Sequence, residues 1–92
     1  MFNSLRGEIT HKDAERLFVA CGGIEWEVWT SARSLASLPA PGAEARVFTH
    51  LHHREDAMRL YGFASAGERD LFLDLMRVEG VGPRVALRIL SG

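Results

Sequence analysis

Cysteine is almost missing from this chain. Cys21 stands alone among 92 residues, which excludes an internal disulfide and suits a reducing cytoplasm. Within a strand-like run it reads as a small apolar side chain rather than a reactive thiol. Long apolar runs are missing too. No stretch approaches the roughly 18 apolar residues that suggest a membrane span, and Met1-Phe2-Asn3-Ser4-Leu5-Arg6 lacks the apolar core of a secretory signal. The phosphate-cradling pattern G-x-x-x-x-G-K-[ST] does not occur, so ATP hydrolysis is not expected. No nucleophile and base stand at motif spacing, and no catalytic residue and no cofactor are assigned. A positive excess is also lacking. Eleven Lys and Arg against 12 Asp and Glu give a formal charge of −1, unlike the usual strongly basic nucleic-acid binder.

What is present is an ordinary globular composition, 47% hydrophobic and 25% charged, in a length that suits one domain, or one domain plus part of another. Such a chain buries roughly 60–70% of its unfolded surface, enough for one modest core. Leu5 to Thr10 alternates apolar and polar with period two, and Arg16 to Cys21 is a second strand rich in β-formers. Gly22-Gly23 suits the positive φ angles of a tight hairpin turn. Ile24 to Thr30 forms a third strand, with Ile24, Trp26 and Val28 on one face and Trp29 with two glutamates on the other. Trp26 is expected in the core, and Trp29 partly buried. Ser31 to Leu38 reads as a short helix ended by Pro39-Ala40-Pro41-Gly42, Glu44 to Leu51 as a fourth strand and Met58 to Phe63 as a fifth. Five strands with a helix between the third and fourth match the order of an OB-fold barrel over residues 1–63.

Residues 64–92 change period. Ser65-Ala66-Gly67-Glu68 has capping-box spacing, and Leu71, Phe72, Leu75 and Met76 follow at helical intervals. Next comes Gly80-Val81-Gly82-Pro83-Arg84, where proline suits the first position of a helix. Glycines before it let the backbone approach a ligand, and N–H groups at such a turn and helix start make an anion site. Residues 80–92 hold Arg84 and Arg88 and no acid, so this end is locally basic. The unit resembles a helix-hairpin-helix motif that grips a DNA phosphate. Such modules also occur in DNA glycosylases and ligases, whose enzymatic domains need more chain than this.

Between the last two strands lies a polar tip, His52-His53-Arg54-Glu55-Asp56. With His50, these side chains include the donor types of a zinc-like ion, but neither fixed ligand spacing nor a cysteine partner accompanies them, and no metal is assigned. Glu55-Asp56 alone reads as a solvated turn. Beside a DNA-gripping hairpin it gains a meaning, because carboxylates repel phosphates.

Taken together, Leu5-Arg6-Gly7, Gly22-Gly23 with Trp26-Glu27-Val28, Val47-Phe48-Thr49-His50, Arg54-Glu55-Asp56-Ala57, Leu60-Tyr61-Gly62-Phe63 and Gly80-Val81-Gly82-Pro83 through Ile89-Leu90-Ser91-Gly92 resemble the RuvA family. These are the Holliday-junction-binding subunits of the bacterial branch-migration machinery, and the likeness spans nearly the whole chain. It implies an OB barrel, a domain with two helix-hairpin-helix motifs and a mobile C-terminal domain. It also implies a homotetramer that holds a four-way junction open, binds without sequence preference, and works with the motor RuvB and with RuvC in recombination and repair. On this resemblance Glu55 and Asp56 fall on the acidic pin, and Gly80, Val81, Gly82 and Arg84 on the first DNA-binding hairpin. Arg84 stands where the family often has Lys, and either meets a phosphate. His52 and His53 stand where apolar residues are commoner, so protonation there is expected to make the pin pH-sensitive. The second hairpin and the RuvB-binding domain lie beyond the part matched, so the chain is expected to be a fragment that does not itself recruit RuvB. Two other readings stay open: an OB-fold module that stacks single-stranded nucleic acid on Trp29, and a structural oligomerisation module.

Overall fold

A computed structural model describes residues 2–92. Five strands, β1 (Ser4–Lys12), β2 (Arg16–Cys21), β3 (Ile24–Trp29), β4 (Glu44–Arg54) and β5 (Ala57–Phe63), close into a barrel in the order β1-β2-β3-β5-β4. Neighbours are antiparallel except β3 and β5, which meet in parallel at Trp29 and Tyr61, and β4 closes the ring against β1 from Ser4–Phe48 to Glu8–Glu44. Closure leaves no free sheet edge along the paired segments. The β2–β3 turn is Gly22-Gly23, at φ 62° and 79°, the left-handed pair that a two-residue hairpin favours. Gly7 serves a different purpose. A Cβ there would lie 2.0 Å from the Ala20 carbonyl oxygen, so the close approach of β1 and β2 requires glycine.

The barrel core is formed by Leu5, Ile9, Leu17, Val19, Val28, Val47 and Leu60, with Leu35 and Leu38 closing one end. Leu35 belongs to α1 (Ala32–Ser37) and Leu38 is its C-cap; Ser31 caps the N-terminal end by accepting from the Ser34 N–H. The other end of α1 is satisfied by Lys12, whose Nζ donates to the carbonyls of Leu35 at 2.6 Å and Leu38 at 3.0 Å; a cation suits a helix C-terminus.

Two further helices, α2 (Ala66–Met76) and α3 (Pro83–Ser91), lie on the outside of β5. Leu60 turns into the barrel, whereas Tyr61 and Phe63 turn outward and join Phe72 of α2 and Ala86 and Leu90 of α3 in a second core. That is why Leu60 to Phe63 shows no apolar–polar alternation: all four residues are buried, the strand being covered on both sides. Phe72 is fully buried, with ring centroids 4.9 Å from Phe63 and 5.1 Å from Tyr61.

Several expectations shift. β4 runs on to Arg54, so His52, His53 and Arg54 belong to the strand and the connection is only Glu55-Asp56. The ladder continues because each of those residues pairs across to β5, His52 with Arg59, His53 with Met58 and Arg54 with Ala57. Trp26 is only partly buried, packing against the barrel core from the β2–β3 hairpin while its indole N–H donates to the Cys21 carbonyl at 3.1 Å. Ile24 is half exposed, because it starts the strand immediately after the turn. Ser65 does cap α2 through the Glu68 N–H, at 3.1 Å. The Glu68 carboxylate does not complete the box. It reaches instead to the hydroxyls of Ser31 and Ser34, the latter at 2.6 Å, and Ser34 Oγ in turn accepts from the Ala64 N–H at 2.8 Å. Both serines are fully buried, so this network ties α2 to the barrel.

Candidate nucleic-acid interface

The connection between α2 and α3 is residues 77–82. Gly80 takes φ 85°, and the Val81 N–H closes the turn on the Val78 carbonyl at 3.0 Å. Val81 tucks its side chain against the second core, which anchors the turn and leaves the flanking glycines outward. A Cβ on Gly80 or Gly82 would meet nothing within 4 Å of the protein, so neither is a glycine for internal packing. Gly82 is the N-cap of α3 in extended backbone, and Pro83 is its first residue. The first intrahelical bond runs from the Ala86 N–H to the Gly82 carbonyl at 3.0 Å. Pro83 has no N–H, and those of Gly82, Arg84 and Val85 meet no acceptor among the described residues. No acid occupies the first turn. Free donors, the positive end of the helix dipole and the exposed Arg84 side chain therefore share one place.

Glu55 and Asp56 form the β4–β5 tip, both exposed, and neither carboxylate has a hydrogen-bonding or ionic partner among the described residues. Arg54 and Ala57, which close that hairpin, line a depression together with Pro83 and Arg84. The base of the acidic tip and the start of α3 thus face one concavity. His52 and Arg59 line it as well, which brings Arg54, Arg59 and Arg84 around a common space. Composition could not reveal this convergence. The signal available for Arg59 was strand alternation, which sets it on the same face as Ala57 and Tyr61.

The histidines do less than their sequence positions suggest. His50 and His52 share a strand face, ring centroids 6.1 Å apart. Burial, then the neighbouring His52 and Arg69, pushes His50 below the ordinary imidazole range; burial, then Arg54, does the same for His52. Neutral His52 Nε2 accepts from Arg54 Nε at 3.0 Å. Arg54 brings a positive charge beside the tip, and His52 acts as its acceptor. Among the described residues no three His, Cys, Asp or Glu side chains converge as a metal site would require, and no helix is long and apolar enough to cross a membrane.

Trp29 is half-buried at the end of β3. The Arg59 guanidinium lies 4.1 Å from its ring centroid and that of Arg16 5.7 Å. The indole face is thus covered by cations rather than free for a base.

Comparison with known proteins adds an independent line. A family profile described as the RuvA N terminal domain matches residues 1–62. The chain is 53% identical over 92 residues to the Holliday junction branch migration complex subunit RuvA of Treponema denticola, covering 100% of this chain and 46% of that protein. It is 52% identical over 91 residues to the protein of the same name from Treponema pallidum strain Nichols, covering 99% of this chain and 40% of that one. With the Delftia acidovorans protein, again of that name, identity is 41% over 92 residues, covering 100% and 48%. The chain spans about half the length of the curated relatives it matches.

Proposed function

This chain belongs to the RuvA N-terminal domain family, and from that premise we propose that it binds four-way DNA junctions by structure rather than by base sequence. In this reading the closed barrel is an OB-fold, and α2, residues 77–82 and α3 are a helix-hairpin-helix. The observation that carries it is the start of α3: glycines with nothing packed on them and free N–H donors, beside Pro83 and Arg84, which line a concavity shared with the base of the acidic turn. Backbone donors meet phosphates and read no bases, so binding is sequence-independent and salt-sensitive. Glu55 and Asp56 act as a pin. Four copies around an axis bring four tips to the junction centre, where their carboxylates steer strands away from the crossover.

The chain is a non-catalytic subunit in this scheme. RuvB supplies the ATPase, and RuvC is a second partner in recombination and repair in the cytoplasm. Binding of single strands through Trp29 fits less well, because the Arg59 guanidinium already sits over that ring. A gel-shift competition tests the proposal, with a labelled four-way junction challenged by unlabelled junction, duplex and single strand of equal nucleotide content. Junction should compete best. Equal competition by all three would overturn structure-specific binding, and the best competition by single strand would restore the stacking module. Light scattering on the same sample checks the assembly, which should be four copies. A chain that assembles yet binds no DNA at low salt would be an oligomerisation module instead.

A further inference from the structure

A groove of about 510 Å³ runs between the barrel and the flank of α3, and none of residues 77–82 lines it. Its walls bring together Arg59 from β5 with Arg84 and Arg88 from α3. The two helix residues are four apart and so share one face. None of the three pairs with a carboxylate among the described residues. Three exposed guanidiniums around one groove repel each other unless an anion lies between them. Their placement is built into the fold. The Arg59 guanidinium sits over Trp29, its centre 4.1 Å from the ring centroid, a cation–π contact that holds it at the groove wall. The end of α3 is pinned to α1, since Ser91 Oγ accepts from the Ala32 N–H at 3.0 Å and donates to the Leu87 carbonyl at 2.7 Å. A second observation points the same way. Thr30, 3% exposed, forms part of the groove wall, and its Oγ1 is a buried side-chain oxygen with no hydrogen-bond partner among the described residues. One carboxylate, Glu15, lies on the lining as well and sets the opposite electrostatic limit.

We propose that Arg59, Arg84 and Arg88 form a second phosphate site, taking a backbone phosphodiester of the DNA arm held by the hairpin, with the Trp29–Arg59 pair as its wall. The site rests on the reading of α3 as a DNA contact, and extends that contact from the helix start along the helix flank. A phosphate seated among the three guanidiniums meets three positive charges against the single Glu15 carboxylate of the lining. Arg84 serves both sites, whereas Arg59 and Arg88 serve only the second.

The test is the salt dependence of duplex and junction binding by the intact chain, compared with Arg59→Gln/Arg88→Gln and with Gly82→Asp. One neutralised phosphate contributes about 0.9 to the slope of log K against log salt, so its loss shrinks the affinity change between 50 and 200 mM salt by about 3.5-fold. The double Gln variant should still bind junctions, with a slope lower by about 1. Arg88→Lys, which keeps the charge, should hold the parental slope. Gly82→Asp should weaken binding at least about tenfold at every salt concentration. In a Trp26→Phe background Trp29 is the sole tryptophan, and its fluorescence should respond to duplex in the parent but not in the double Gln variant. Inorganic pyrophosphate at constant ionic strength should give that response only at far higher concentration. An unchanged slope in a folded double Gln variant, with Gly82→Asp still defective, would overturn the second site and leave the hairpin standing. Parental binding by both would overturn both. A Trp29 response saturated by micromolar pyrophosphate but absent with duplex would overturn the assignment to DNA.

Discussion

Gly82→Asp should make this protein more stable and much worse at binding DNA. Gly82 sits at φ −94° and ψ −177° as the N-cap of α3, an extended conformation open to any residue. The added Cβ meets nothing within 4 Å, so no strain opposes the change. Asp is among the preferred N-cap residues and exceeds Gly there by a few tenths of a kcal/mol. A negative charge at a helix N-terminus adds about 0.3–1 kcal/mol. Folding stability should therefore rise by roughly 0.5–1 kcal/mol. The same carboxylate would accept from the free Arg84 and Val85 N–H groups and take the donors a phosphate needs. Two unit charges about 4 Å apart repel by about 1 kcal/mol in water and about 4 kcal/mol near a protein surface. An expected penalty of about 2–4 kcal/mol corresponds to a roughly 30- to 700-fold loss of affinity. Urea unfolding and fluorescence anisotropy with a labelled junction at low salt read the two effects from one preparation. Opposite signs are the expected result. A variant as stable as the parent that binds within twofold of it would refute the assignment of phosphate to this turn. A variant that loses binding together with stability would refute the capping geometry.

Replacing Glu55 and Asp56 with Lys should leave unfolding midpoints nearly unchanged, because both side chains are in solvent. It should raise duplex affinity and narrow the junction-to-duplex ratio, each removed repulsion contributing on the order of 1 kcal/mol; an unchanged ratio would leave the pair a solvated turn. Glu68→Ala strips the acceptor from the buried hydroxyls of Ser31 and Ser34, so urea unfolding should show a loss of about 2–4 kcal/mol; a loss below about 0.5 kcal/mol would mean the network contributes little. His50 and His52 are held below their ordinary pKa by burial and nearby positive charge. On acidification the unfolded chain therefore takes up protons first, near pH 6.5, and stability should fall from there down to the folded-state values. Urea midpoints at pH 7.5 and 5.5 should differ less in His50→Gln/His52→Gln than in the parent, and an equal difference would assign the effect elsewhere.

Sequence by itself determined the local structure of this protein. Alternation placed the strands, and Gly22-Gly23 set their tightest turn because the two positions need positive φ. Ser31 and Ser65 marked helix starts through hydroxyls that accept from N–H groups within their own turns. Gly80, Gly82 and Pro83 marked the α2–α3 turn for equally local reasons. Periodicity failed where burial came from distant residues. Leu60 to Phe63 has no polar face because α2 and α3 cover the outside of β5, and β4 runs on through two histidines and an arginine because β5 pairs with them. Glu68 has the spacing of a capping box, yet its carboxylate goes to two serines more than 30 positions away, a choice that exists only once α1 and α2 have docked. The basic groove belongs to the same class. Arg59 and Arg88 are 29 positions apart, on a strand and a helix; Arg88 showed only as part of a locally basic end, and Arg59 as one more exposed charge. Long-range packing makes them neighbours, and only proximity turns scattered charge into a site, because electrostatic interaction between exposed groups dies away within about 10 Å at ordinary salt.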